Sequence, residues 1–292
     1  MKFHTRTGFT IVSLLLVLCS FLLNSCKDEV SLPQIGGYDN ADQIGASNLM
    51  AHWDFEDNLK ESVSGILPDF QNNLTFVPGI KGKCIALNSG IVQYNSIPAL
   101  SSLPSFTVSA WVKLANNGTS STMVFSLTRP DAWEGAVNMM VETNLSPATN
   151  DTLNLKCLID TKVGTAVSTQ ENHNDPSKGG DQVFKSPNAW FQIVNVYDAS
   201  KSKLYVYANG IKIDDPALES RIFNTIPLGA LSFFTPTQVV IGAFSYNVPS
   251  WGKTPETWMK AMTGQLDEIR VWNSALTPET ISSLYKLELA GR

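Results

Sequence analysis

The 292-residue chain has four cysteines and three histidines, and only 16% of its residues are charged. Each scarcity narrows the chemistry. Cys19 and Cys26 fall near the N-terminus, which leaves Cys84 and Cys157, both in apolar strand-like runs. A Cys84–Cys157 disulfide stands open beside the reading of two buried free thiols. The lack of any C-x-x-C pair excludes a thiolate zinc site. No Lys/Arg cluster interrupts an acidic balance of 21 basic against 26 acidic residues, which argues against nucleic acid and anionic membrane surfaces as partners. H-E-x-x-H, the G-x-S-x-G elbow and a phosphate-cradling glycine loop are all missing.

What is there begins with a leader. Lys2 and Arg6 form a basic n-region ahead of the 16-residue apolar run Gly8–Leu23, which is short for a membrane span and suits a signal h-region. It ends in Leu23-Asn24-Ser25-Cys26, which resembles the lipobox of bacterial lipoproteins. That resemblance implies removal of residues 1–25 as a signal peptide and lipidation of Cys26. Lys27-Asp28-Glu29 resembles the export signal of surface lipoproteins of glycan-foraging Gram-negative bacteria, which implies display at the outer membrane, held by lipid alone. Residues 26–48, with Pro33, Gly36 and Gly37 and little periodicity, read as the lipidated Cys plus a flexible tether. Residues 49–292 read as one large all-β domain.

Within that domain, Phe106–Leu114 alternates so that Phe106, Val108, Ala110, Val112 and Leu114 share a face. Trp190–Tyr197, Lys203–Ala208, Thr152–Asp160 and Thr237–Phe244 read as further strands, and Asn209–Gly210 as a two-residue hairpin turn into Ile211–Ile213. The segment Gly264-Gln-Leu-Asp-Glu-Ile-Arg-Val-Trp272 reads as a strand in which Leu266, Glu268, Arg270 and Trp272 alternate with Asp267, Ile269 and Val271. Thr277 is its following helix's N-cap candidate, Pro278 takes the first turn, and the helix runs to about Leu287.

This closing strand and helix, with Trp53-Asp-Phe-Glu-Asp-Asn-Leu-Lys-Glu-Ser-Val-Ser-Gly65 as an opening strand and loop, resemble the LamG-like, or concanavalin A-like lectin/glucanase, family. The resemblance implies an all-β β-sandwich jelly roll with a short C-terminal helix. It also implies glycan or protein binding more often than catalysis. Glu61, where the family usually has Asp, and long loops at residues 128–151 and 245–262 depart from the pattern. Many such sandwiches hold a structural Ca²⁺ between their first and last strands. Asp54, Glu56, Asp57 and Asp267 are the candidate ligands here, with solvated loop acids as the alternative. Glucanases on this fold carry Glu-x-Asp-x-x-Glu along one strand. It is absent, and Asp267 and Glu268, being adjacent, are expected on opposite faces. No catalytic residue is assigned.

Sugars stack their C–H faces on aromatic rings and pair their hydroxyls with polar side chains. Trp53, Trp111, Trp190 and Trp272 lie in strand patterns and read as core. Trp133, Trp251 and Trp258 lie in polar stretches, with Tyr246 nearby, and form the candidate carbohydrate surface. Arg129, Asp131, Glu134 and Asn247 are its candidate polar partners. The alternative reading is adhesion to a protein of an outer-membrane assembly, and a more distant one is a divergent glycoside hydrolase.

Overall fold

The computed structural model describes residues 32–143, 145, 147–234 and 238–292, so the expected signal peptide and Cys26 lie outside the described residues. Runs rich in β-branched and aromatic residues, cut by Gly, Asn and Pro turns, form short strands. The first half of the chain holds β1 (Leu49–Trp53), β2 (Phe70–Pro78), β3 (Lys83–Tyr94), β4 (Phe106–Lys113), β5 (Ser121–Arg129) and β6 (Ala132–Glu142). Next come β7 (Thr152–Val163), β8 (Ala166–His173), β9 (Phe184–Lys185), β10 (Trp190–Asp198), β11 (Lys203–Ala208) and β12 (Ile211–Lys212). The chain closes with β13 (Ile222–Phe223), β14 (Ile226–Pro227), β15 (Val239–Ile241), β16 (Met259–Lys260), β17 (Met262–Trp272) and helix α1 (Pro278–Leu289).

Hydrogen bonding links them in the order β12-β11-β10-β4-β17-β3-β15-β5-β6-β7-β8, with β1 added on β17 and β2 on β3. The pairing is antiparallel except where β16 runs parallel to β5. This ribbon curls into two layers, so that β10 and β11 pack across the core from β7 and β8. All five residues predicted to share a face of β4 and its continuation point into that core, beside Val137, Met139, Leu155 and Ile159. The Asn209–Gly210 turn forms as expected: both residues have positive φ (51° and 76°), and Ala208 pairs with Ile211. Thr277 caps α1 by accepting the Thr280 N–H.

Three expectations change. Residues 34–48 are no tether: two short 3₁₀ turns bury Ala41 and Ile44 against Trp272, Leu284 and Leu287, and the folded unit begins at Gln34. The first part of the expected 128–151 loop is instead the β5–β6 hairpin, in which Arg129 pairs with Ala132. Regular alternation also fails in β17. Glu268 takes a left-handed conformation (φ 46°) in a bulge between Asp267 and Arg270. Leu266, Ile269 and Val271 consequently enter the core, leaving both Asp267 and Glu268 outside it, on the same side. Cys84 and Cys157 are free, buried thiols, and burial pushes the Cys84 thiol up to about 12.

Candidate functional site

The β5–β6 hairpin turns at Pro130–Asp131, where Asp131 adopts φ 70°, and delivers Trp133 to the outer surface of that layer. From the other direction, the chain after β15 makes a 3₁₀ turn at Ser245–Asn247, held by the Asn247 Oδ1 accepting the Phe244 N–H at 3.2 Å. A second turn at Pro249–Trp251 precedes Trp258 and β16. The Trp258 carbonyl accepts the Ser121 N–H at 3.1 Å, which anchors the loop to β5, and the Asn247 amide donates to the Met259 carbonyl at 3.4 Å, which ties it to β16.

The outcome is an aromatic trio. Trp133 and Trp258 meet edge-to-face with centroids 5.2 Å apart, and Phe244 lies 5.7 Å from Trp133 and 5.3 Å from Trp258. Buried Met123, Met140 and Met259 floor the trio. Perpendicular rings at such spacing satisfy the aromatic quadrupole and hold one another in place. Both indoles remain half-buried, with Tyr246 packed beside them and its hydroxyl donating to the Asp131 carbonyl at 3.4 Å.

Of the residues picked from sequence, the structure thus brings together Trp133, Trp258, Tyr246, Asp131 and Asn247. It separates the others. Trp251 packs on Ile91, Val240 and Val248, with its indole N–H donating to Gln238 at 3.0 Å. Arg129 is engaged by its own layer: its Nε donates to the Glu134 carbonyl at 3.1 Å, lies 2.6 Å from buried Asp160, and its guanidinium stands 5.2 Å from the Phe234 ring centre. Burial raises the Asp160 carboxyl, and Arg129 is among the groups that hold it down. Glu134 is half-buried next to that pair.

The four carboxylates picked for Ca²⁺ are engaged by protein donors. Asp54 accepts from the Ser62 hydroxyl at 2.9 Å, Glu56 from the Lys83 N–H at 3.1 Å, and Asp57 pairs with the Lys83 ammonium at 2.6 Å. Asp267 accepts the N–H groups of Ile80, Lys81 and Glu268 at 2.8, 3.2 and 2.9 Å. Among the described residues, no group of three or more His, Cys, Asp or Glu side chains comes together to hold a metal. Each of the four thus already has a protein donor of its own.

Two features escaped the sequence reading. Glu61 is buried rather than solvated; it accepts the His52 and Val63 N–H groups at 2.7 and 2.9 Å and fixes the opening loop. Beneath α1, fully buried Arg270 joins Glu268 at 2.5 Å, Glu288 at 3.0 Å and Asp42 at 2.8 Å. His52 also contacts Glu268 at 2.9 Å, while Trp111 and Gln192 donate to Glu288 at 2.7 and 2.8 Å. Burial opposes the Glu268 charge, but His52 and Arg270 win and hold its carboxyl at about 2. The charged spacing of β17 was the available signal; its bulge was not visible.

Comparison with known proteins places this architecture. The family model described as the concanavalin A-like lectin/glucanases superfamily matches residues 88–282. Curated proteins gave no match. Among solved structures, domain 4 of AbnA, an extracellular arabinanase from Geobacillus stearothermophilus solved with arabinotriose, superposes with TM-score 0.51 at 18% identity, over 81% of this chain and 98% of that one. The binding domain of Paraclostridial Mosquitocidal Protein 1 gives 0.53 at 16% identity, over 82% of this chain and 52% of its own. The botulinum neurotoxin serotype D ligand-binding domain, solved with N-acetylneuraminic acid, gives 0.51 at 12% identity, over 84% and 52%. This chain spans about half of each toxin domain, and at such identities the likeness speaks for the fold.

Proposed function

Because the chain belongs to the concanavalin A-like lectin/glucanases superfamily, we propose that it binds carbohydrate without turning it over, through the surface built by Trp133, Trp258 and Tyr246. One observation carries the reading. Two segments far apart in sequence converge to set two half-buried indoles and a tyrosine on one outer surface, next to exposed Asp131 and half-buried Asn247. Rings locked edge-to-face lose little freedom when a sugar's C–H face docks, so their apolar area serves binding rather than ordering. The saccharides bound by the arabinanase domain and the serotype D domain are of the class this surface suits.

The carboxylates of the closing strand support a non-catalytic role. Asp267 is tied to three backbone N–H groups and Glu268 to Arg270 and His52, which leaves neither poised as acid or nucleophile. The lipobox-like segment at Cys26 extends the proposal to a lipid-anchored protein displayed at the outer membrane. There, many copies of a weak binder gain avidity.

The test is a glycan array probed with the chain from residue 26 onward, carrying Cys26→Ser so that it stays soluble. Arabino-oligosaccharides belong on the array beside other plant and host glycans. Hits should weaken about tenfold, or ~1.4 kcal/mol, in Trp133→Ala and Trp258→Ala, and persist in Trp251→Ala. A blank array, or hits indifferent to both substitutions, overturns the reading.

A further inference from the structure

On the outer surface of the other layer, β11 alternates Leu204, Val206 and Ala208 into the core with Lys203, Tyr205 and Tyr207 outward. The outward tyrosines line a cleft of about 460 Å³ between this strand and the segment Ala275–Pro278 that leads into α1. That volume lies within the ~300–1,000 Å³ usual for small-molecule sites. Val196 and Tyr207 form an apolar floor, and the Lys212 ammonium lies over one face of the half-exposed Tyr205 ring, 5.7 Å from its centre.

The rim carries hydrogen-bonding groups of both signs in fixed pairs. Glu219 is clamped between Lys203, at 2.9 Å, and Lys212, while Asp198 pairs with Lys201 at 2.9 Å. Such pairs offer a donor and an acceptor side by side, the arrangement that two vicinal hydroxyls match, above aromatic carbon that a sugar's C–H face can cover.

We propose that the Tyr205–Glu219–Lys212 cleft is a second saccharide site, taking one neutral sugar unit with vicinal hydroxyls, on the opposite layer from the Trp133–Trp258 surface. The proposal rests on the carbohydrate-binding reading but on different residues. Two sites on opposite outer faces make the domain bivalent, able to bridge separate polysaccharide chains rather than grip one.

The experiment is NMR of the Cys26→Ser chain, residues 26–292, with ¹³C-labelled tyrosine and tryptophan rings, titrated in turn with xylotriose, cellotriose and maltotriose. At least one trisaccharide should shift the Tyr205 and Tyr207 signals saturably. Those shifts should survive Trp258→Ala and vanish in Tyr205→Ala and in Lys212→Met, a rim change that leaves the floor intact. Three results overturn the proposal: tyrosine signals that no probe moves, shifts lost in Trp258→Ala, or shifts retained in both cleft variants. Tryptophan signals that respond while the tyrosines stay silent sink the second site and leave the first standing. Silence from both kinds of ring counts against the two together.

Discussion

Replacing Arg270 by Met tests how the closing strand is held. The side chain is fully buried, and its guanidinium lies within 2.5–3.0 Å of Glu268, Asp42 and Glu288. Methionine keeps much of the length and apolar volume but leaves two carboxylates in the interior without their cation. Glu268 retains His52 and, at 3.9 Å, the Lys81 ammonium; Glu288 retains only the neutral donors Trp111 and Gln192. Breaking a buried pair in this way costs ~3–5 kcal/mol. At roughly 2–4 °C per kcal/mol for a domain of this size, the melting temperature should fall by about 6–20 °C.

The deficit should also depend on pH. Burial raises the Glu288 carboxyl to about 7 even though Arg270 pulls it down. Without Arg270, both carboxyls titrate higher and the folded variant binds more protons than folded wild type. The gap between them therefore narrows on acidification, above pH 7 through Glu288 and, in acid down to about pH 2, through Glu268. Calorimetric melting at about pH 9 and about pH 7 reads both effects. The double change Arg270→Met/Glu288→Leu should be less damaging than the two single changes summed. A drop below about 2 °C, or a deficit that widens as pH falls, refutes the account.

Burial raises the Asp214 carboxyl to about 7, with Lys212 and Asn172 opposing. A raised acid stabilises the fold fully below its unfolded value of 3.8 and loses that contribution as pH rises through about 7. The span is worth at most about 4 kcal/mol at ~1.36 kcal/mol per pH unit. Asp214→Asn should flatten the fall in melting temperature over that window, and parallel wild-type and variant curves would contradict it. A chelator should leave the melting temperature unchanged, because Asp54, Glu56, Asp57 and Asp267 already have protein partners; a fall of several degrees would show that a cation completes the site after all.

The fold was legible wherever a period of two was sustained. The five core positions from Phe106 to Leu114 and the Asn209–Gly210 hairpin needed only local rules, and both formed. The bulge at Glu268 was not legible, since a charged residue at φ 46° follows from the Arg270–Glu288 network rather than from its neighbours in sequence. Residues 34–48 looked like linker because Ala41 and Ile44 are buried by tertiary contact without any repeating pattern. Part of the aromatic surface could be read, as tryptophans in polar stretches. That Trp251 leaves the group while Phe244 joins it depends on how the single segment between β15 and β16 folds over β5. The tyrosines of β11 carried a signal, two rings at alternate positions with Lys203 in line, but core packing explained the strand equally well.

The docked segment ahead of β1 has a mechanical meaning. Asp42 reaches Arg270, the Ile44 carbonyl accepts the Trp272 indole N–H at 2.9 Å, and the Ala41 N–H meets the carbonyl of Arg292 at 3.3 Å. A pull on the chain ahead of Gln34 is thus delivered to the middle of the ribbon, where β17 is flanked by β4, β3 and β1, and to Arg292 just past α1. A force applied there would load these cross-links before it could peel β1, so the domain meets tension at its best-supported strand instead of at an edge.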